Sequence, residues 1–412
     1  MIKLLKNIFR LVSGTAGGQV ISILLLPILT RKVSPELMGH YSVFLALIIV
    51  LNCLAGMRLD LAVMTSNDRE TNLKLLRVSN LVNLGICALF FIICILIKYI
   101  FHDYFVYTLV QLLIACAGLY FFTYAQFLSC YYISEGSFQK SSINRFLKPG
   151  LAIFFQILLI QVNVSLDNLL LGYVLGYSLP CLVFDRKLQL DIFFKNKKSD
   201  FLFIWSEFRN YFLFQAPAGL VNAVSQNIAN FVLITLVGSY YLGLYSLAFR
   251  MIQAPITLVS GSVRDAYFHH AKGIYNESPK KLPADMMRSV TILFLLSSCI
   301  SATLYTFLPG MFSFFFGQEW HESGTVASYL LPWFIFLFCN PPATVVANII
   351  GCQLFILIYE ILNLIIRVLV LLLSWYITKD FTFLILAFSF AGVVMNVFYI
   401  TSIYFLSRKK VQ

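Results

Sequence analysis

Twelve long apolar stretches follow one another along the chain and leave almost no sequence for anything else. They fall at 9–29, 37–57, 78–100, 106–132, 147–165, 168–184, 210–236, 241–267, 289–310, 325–350, 354–377 and 382–406. A helix needs about 20 apolar residues to cross a hydrocarbon core ~30 Å thick. Inside lipid each peptide N–H and C=O must be bonded within the protein, which leaves helices and closed barrels. Barrel strands would read as short alternating segments, and these runs are too long and too evenly apolar for that. With 60% hydrophobic and 12% charged residues in 412, the expected fold is an all-α polytopic membrane protein. It should have about 12 transmembrane helices, arranged as two six-helix lobes around a central cavity.

Orientation follows from the basic residues, which favour the cytoplasmic side of a bilayer. With the N-terminus inside, the inner segments hold 24 of the 30 Lys and Arg. The outer segments hold only Arg31, Lys32, Lys98 and Lys379, while Arg250 and Arg367 fall within spans. Both termini are therefore expected to be cytoplasmic, and an even number of helices agrees with that. This asymmetry and the anionic inner leaflet account for the net charge of +12. No compact basic domain or nucleic-acid-binding module accompanies it, so no nucleic-acid partner is expected.

Catalytic and metal chemistry find little footing. The nine cysteines are scattered, with no CxxC, and nearly all fall within spans, as small packing residues do. The five histidines lie in or near loops without metal-ligand spacing. No catalytic residue, metal site or cofactor is expected. The basic N-terminal stretch runs into an apolar segment that continues to Thr30 through Pro27, which reads as an uncleaved first helix.

A connection near 185–209 divides the chain. The expected organisation is an N-terminal lobe over 1–190, a cytoplasmic linker over 191–209 and a C-terminal lobe over 210–412. A short repeat links the halves: Gly39-His40-Tyr41-Ser42 opens the second span and Gly243-Leu244-Tyr245-Ser246 the eighth, 204 residues later. The outer loops are short, the longest being the fifteen residues of 310–324, too few for a folded outer domain. Gly14 and Gly18 give the first helix a small-residue face suited to close helix packing or to a hinge. Pro27, Pro217, Pro255, Pro332, Pro341 and Pro342 fall inside spans, where freed carbonyls need a cavity or a packed neighbour.

Polar residues at membrane depth cost ~2.5–3.5 kcal/mol each on insertion scales and mark function by default. Arg250 lies ~14 Å into the eighth span and Arg367 near the middle of the eleventh. Glu360 and Asn363 share a face with Arg367; Glu360 and Arg367 sit ~10 Å apart along the axis, too far for direct contact. Asn222, Gln226 and Asn230 form one stripe on the seventh span, a pattern that suits interhelical hydrogen bonds or a wet cavity. Gln19 adds a polar group on the first span. Arg58 and Asp60, and Arg264 and Asp265, stand at equivalent inner ends of the second and eighth spans, as interfacial anchors or as a gate. The candidate substrate-binding residues are thus Arg250, Arg367, Arg58 and Arg264. Gln19, Asn222, Gln226, Asn230 and Asn363 are candidate cavity lining, and Glu360 is the candidate ion-coupling carboxylate. A cationic cavity suits an anionic ligand, and arginine suits phosphate or pyrophosphate through paired hydrogen bonds.

Three segments carry a resemblance. PILTRKVSPELMGHYSVF (27–44), LVGSYYLGLYSLAFRMIQAP (236–255) and LPGMFSFFFGQEW (308–320) resemble the helix 1–2, second-lobe and helix 9–10 segments of Wzx-type polysaccharide flippases. These belong to the multidrug/oligosaccharidyl-lipid/polysaccharide (MOP) superfamily. The resemblance implies transfer of an undecaprenyl-pyrophosphate-linked O-antigen or capsule repeat unit across the bacterial inner membrane. The mode would be alternating access of the two lobes, coupled to H+ or Na+. It also implies a basic cavity that engages the pyrophosphate, with Arg250 as the position carried over, and a polysaccharide polymerase and chain-length regulator as partners. Two alternatives share this size and helix content. A cation-coupled multidrug antiporter of the superfamily should favour acidic cavity residues, whereas the buried charges here are two Arg and one Glu. A membrane polysaccharide polymerase should carry a large outer loop, and none is present.

Overall fold

The computed structural model describes residues 2–66, 68–100, 107–183, 191–192 and 198–411. Among them the chain is helical throughout, as the even apolarity of the spans requires. The helices are α1 (Ile2–Thr30), α2 (Pro35–Ala55), α3 (Leu59–Thr65), α4 (Arg69–Ile100), α5 (Leu109–Ser134), α6 (Phe138–Ile160) and α7 (Leu166–Val183), then α8 (Lys198–Asn210), α9 (Ala216–Leu236), α10 (Gly238–Glu277), α11 (Leu282–Tyr305), α12 (Leu308–Phe316), α13 (His321–Ile349), α14 (Gln353–Thr378) and α15 (Phe381–Val411). Eleven described segments are long and apolar enough to cross a bilayer, and the apolar part of α7, Leu166–Leu182, is shorter.

Several boundaries differ from the apolar runs because polar caps and turns, not hydropathy, set helix ends. α4 begins at Arg69, nine residues before its apolar run. The Asp68 carboxylate accepts hydrogen bonds from Thr71 Oγ1 at 2.7 Å and Thr71 N at 2.9 Å. Those bonds hold its pKa below the ordinary carboxylate value and fix the first turn. α10 continues to Glu277, beyond the expected end at 267. Part of the expected linker is helical: α8 passes through a single π-turn, Tyr211–Gln215, into α9. α8 is held by a largely buried ion pair, Arg77 to Asp200 at 3.2 Å, and by Lys74 Nζ, 5.0 Å from the Phe203 ring centre. Much of the rest of the linker, 193–197, lies outside the described residues.

Packing divides the chain into two compact units. One comprises Met1–Val33 and His40–Asn227; the other comprises Ser34–Gly39 and Ile228–Gln412. The division passes through α9 and sets the first turn of α2 with the second unit. In the first unit α1 lies along α6. A Cβ on Gly14 would come within 2.4 Å of Ser142 Oγ, and one on Gly18 within 2.9 Å of the Phe146 carbonyl oxygen, so these glycines serve close packing. α6 and α7 meet as tightly, at Gly172 against Gln156 and Gly176 against Ala152.

The repeated Gly-x-Tyr-Ser motif is a helix crossing in the second unit. A Cβ on Gly39 would lie 1.9 Å from the Ser239 carbonyl oxygen, and one on Gly243 1.8 Å from that of Pro35. Residue 35 meets 243 and residue 39 meets 239, so the contact is reciprocal under the 204-residue offset, like an isologous interface. The Phe-Gly-x-Glu-Trp segment is a turn between α12 and α13. Gly317 adopts φ 114°, which only glycine takes without strain, and places Trp320 in the core with no exposed surface. Ser323 Oγ then donates to the Leu244 carbonyl at 3.0 Å, tying this turn to the motif at the start of α10.

Candidate functional site

In the first unit the site begins where α2 ends. Gly56, Met57 and Arg58 interrupt the helix; Met57 and Arg58 take φ 44° and 53°, left-handed values that cost a non-glycine residue ~1–2 kcal/mol. The break carries Asp60 inward on α3, where it is only 6% exposed. Gln126 Nε2 donates to Asp60 Oδ2 at 2.8 Å, and Asn52 Nδ2 donates to Gln126 Oε1 at 3.1 Å. Arg58 runs beside Gly219, where a Cβ would approach its Nε to 3.2 Å. That Nε is buried and has no hydrogen-bond partner among the described residues.

α6 adds a second group of polar residues. Ser141, Asn144 and Lys148 recur on one face at helical spacing and all are buried. Lys148 Nζ donates to the Ala125 carbonyl at 2.9 Å and to Ser129 Oγ at 3.0 Å, both neutral oxygens. Ser141 Oγ donates to the Ser129 carbonyl at 3.0 Å. Asn144 is fully buried, and neither of its side-chain polar atoms has a partner among the described residues. Cys130 lies within electrostatic reach of Asp60, Arg145, Lys148 and Arg58 together. Three cations and one carboxylate thus act on a single buried point, with several buried polar atoms nearby on these helices unsatisfied among the described residues. Each such atom costs ~1–3 kcal/mol unless a water or ligand meets it. Gln19 on α1, whose Oε1 is also buried without a partner, follows Gly18, which abuts the Arg145 carbonyl.

In the second unit, Arg250 is half-buried on α10 and makes no hydrogen bond or ion pair among the described residues. An apolar groove of about 460 Å³ lines the face of α10 bearing Met251, Pro255 and Val259. By helical periodicity Arg250 falls on the opposite face with Ser246, Gln253, Thr257 and Arg264, a polar stripe along the helix. Arg264 is exposed and pairs with neighbouring Asp265 at 3.7 Å, an exposed pair of little energetic consequence. The expected equivalence of Arg58 and Asp60 with Arg264 and Asp265 therefore holds in the sequence and not in the structure. α2 breaks before its pair and buries Asp60, whereas α10 runs on as helix and leaves its pair in the open.

Arg367 has an aromatic neighbour: its guanidinium carbon lies 5.1 Å from the Trp333 ring centre. Trp333 packs on Phe249 and Phe388, and Tyr245 of the repeat motif packs on the same two rings. Cation–π contact in a dry setting stabilises such a charge. Glu360 is half-buried and within electrostatic reach of Arg367, and Asn363 is buried beside them on α14. On α9, Gln226 Nε2 donates to Asn222 Oδ1 at 2.6 Å; both are exposed, and Asn230 is half-buried.

The structure thus brings Arg58 and Asp60 within reach of one buried point shared with Arg145 and Lys148, two cations that are not among the candidates read from the sequence. In the sequence the apolar run begins only at 147 and Pro149 follows, which places Lys148 with the cations of the inner segment. α6 starts at Phe138, so Lys148 lies ~15 Å along the helix. The Ser141-Asn144-Lys148 spacing was the signal that marked it.

The comparisons agree with this fold. The family described as polysaccharide biosynthesis protein matches residues 28–325. No curated protein matches the sequence. The chain is similar to a multidrug resistance MATE family transporter of the MOP superfamily, solved in an outward-facing conformation, with TM-score 0.63 and 16% identity over 98% of this chain and 95% of that one. It is also similar to a MATE protein in complex with MaD5, with TM-score 0.62 and 14% identity over 98% and 96% of the two chains. Another MATE structure, in a bent conformation, matches with TM-score 0.57 and 16% identity, covering 98% and 95%. With nearly three-quarters of its length matched, the chain belongs to the polysaccharide biosynthesis protein family, and it is built on the fold of the MATE transporters.

Proposed function

We propose that this protein moves a polyprenyl-pyrophosphate-linked oligosaccharide, an O-antigen or capsule repeat unit, from the inner to the outer leaflet of a bacterial inner membrane. The observation that carries the reading is that Arg58, Arg145 and Lys148, with the carboxylate Asp60, all act on one buried point at Cys130, while Asn144 and Arg58 Nε are buried without partners among the described residues. A pyrophosphate carries the negative charge and the acceptor oxygens that such a group lacks. Arg250, half-buried and with no anionic partner among the described residues, is the corresponding cation of the second unit. Both termini face the cytoplasm, by the basic-residue asymmetry. Alternating access of the two units carries the lipid-linked head group, H+ or Na+ drives it with Glu360 as the exchanging carboxylate, and a polymerase and chain-length regulator take the product.

The test is complementation of a flippase-deficient strain, with membrane abundance checked by blot. Arg58→Ala and Lys148→Met should reach normal abundance and fail to restore surface polysaccharide; normal polysaccharide from both would overturn the reading. A cation-coupled multidrug antiporter is the second reading, favoured by the likeness to a multidrug transporter and by the buried Asp60. It predicts drug resistance conferred by the wild-type chain and lost in Asp60→Asn, with no effect on polysaccharide.

A further inference from the structure

On the face of the second unit opposite the C-terminus of α15, four helix ends enclose a cavity of about 410 Å³. α10 contributes Tyr241, α13 contributes Glu322, Thr325 and Tyr329, and the end of α14 contributes Trp375 and Lys379. The turn into α15 completes it with Asp380, Phe381 and Thr382. Unlike the groove along α10, this cavity mixes aromatic rings with carboxylates and hydroxyls.

The turn is built to hold that mixture still. Lys379 takes φ 53° and ends α14, its N–H donating to the Trp375 carbonyl at 3.0 Å. Asp380 then caps α15, its carboxylate accepting from the N–H of Phe383 at 2.9 Å and of Thr382 at 3.3 Å. Tyr241 packs on Phe381 with ring centres 4.5 Å apart. Lys379 Nζ folds back to 5.4 Å from the Trp375 ring centre and 5.9 Å from that of Tyr376.

We infer that this cavity binds a glycosyl unit. An apolar ligand would strip water from Glu322 and the threonine hydroxyls without replacing their hydrogen bonds. An anion would meet two carboxylates. A quaternary ammonium group would suit rings and carboxylates, but the Lys379 ammonium already stands over Trp375 and repels a second cation. A sugar ring has what remains: an apolar C–H face to lie on an aromatic ring, and neighbouring hydroxyls that donate to carboxylates and accept from lysine and hydroxyl groups. The volume falls in the ordinary range for small-molecule sites. That the sugar is the head of a lipid-linked oligosaccharide, captured on the far side after transfer, rests on the transport reading; the pocket chemistry does not.

The test uses the full-length protein in nanodiscs and saturation-transfer difference NMR. The probes are methyl glycosides of galactose, glucose, mannose and N-acetylglucosamine, together with oligosaccharides released by mild acid from the host strain's own polysaccharide. Choline chloride serves as the cation control. At least one saccharide should bind, and Trp375→Ala should weaken it roughly tenfold or more, as loss of an aromatic anchor does. Glu322→Gln alters an exposed side chain, leaves the packing in place, and should also weaken it. Binding of choline with no saccharide, binding of no probe, or saccharide binding unchanged in both variants would overturn the assignment. The two readings separate: export restored by the wild-type chain without saccharide binding sinks the pocket alone. Saccharide binding with export indifferent to Arg58→Ala and Lys148→Met leaves the pocket and sinks the proposed transport mechanism.

Discussion

Three buried or half-buried cations, Lys148, Arg250 and Arg367, meet three different surroundings, and their replacements should behave differently. Lys148 is held only by a carbonyl and a hydroxyl. Burying a charge without an ion-pair partner is costly, so an apolar side chain of similar length removes that cost. Lys148→Met should therefore melt no lower than wild type in a thermal-shift measurement while losing export. A lower melting temperature with export intact would make the lysine structural. Arg250 has no partner to lose among the described residues, so Arg250→Ala should insert at normal abundance and fail in complementation. Arg250→Lys keeps the charge without the planar fork and should retain partial export. Arg367 leans on Trp333, so Arg367→Ala should lower stability by ~1–2 kcal/mol, read as a fall in melting temperature. Glu360→Gln removes the half-buried carboxylate of α14, and transport in proteoliposomes should then lose its dependence on an imposed ion gradient. Unchanged gradient dependence would remove Glu360 from the coupling.

Among the elements, the segments that carry the family resemblance turn out to be architecture. Gly39 and Gly243 allow two helix starts to touch backbone to backbone, Gly317 turns the chain, and Trp320 fills the core. Gly243→Ala would press a methyl group into the Pro35 carbonyl. Its cost should reach the upper end of the ~1–3 kcal/mol typical of overpacking, because the obstacle is backbone and cannot rotate away. Gly39→Ala should do the same against Ser239. Gly261 on the same helix has open space where its Cβ would stand, and Gly261→Ala should be neutral or gain ~0.5–1 kcal/mol from helix propensity. Thermal shifts of the three variants decide the matter: equal effects at Gly243 and Gly261 would deny the crossing. α8 shows the opposite lesson, since its place depends on Arg77 and Lys74, which hydropathy assigns merely to an inner loop.

At the scale of the molecule, the distribution of Lys and Arg is the strongest determinant of orientation. Even with Lys148 removed from the inner count, the asymmetry stands. Reporter fusions at Gln412 and Asn196, both outside the described residues, should give cytoplasmic signal, and a periplasmic signal at either site would refute the topology. With the termini inside, the proposed saccharide pocket would lie on the far side of the membrane from the C-terminus, where a transferred head group would emerge.

The sequence by itself determined the helical class, the apolar spans and the family, because backbone satisfaction in lipid and whole-chain hydropathy are local and additive. The repeat motif was visible too, since a helix crossing that tolerates only glycine leaves its mark on the residues that make it. What only the tertiary structure decided was which polar residues share a site. Arg58 and Asp60 read in the sequence either as interfacial anchors or as a gate, and only the structure shows two left-handed residues breaking α2 and burying the carboxylate. Lys148 looks like a loop cation until α6 is seen to begin ten residues before it. Arg367 looks free until Trp333, on a different helix, is placed against it. Each of these depends on neighbours from other helices, and one-dimensional spacing carries no information about which helices meet.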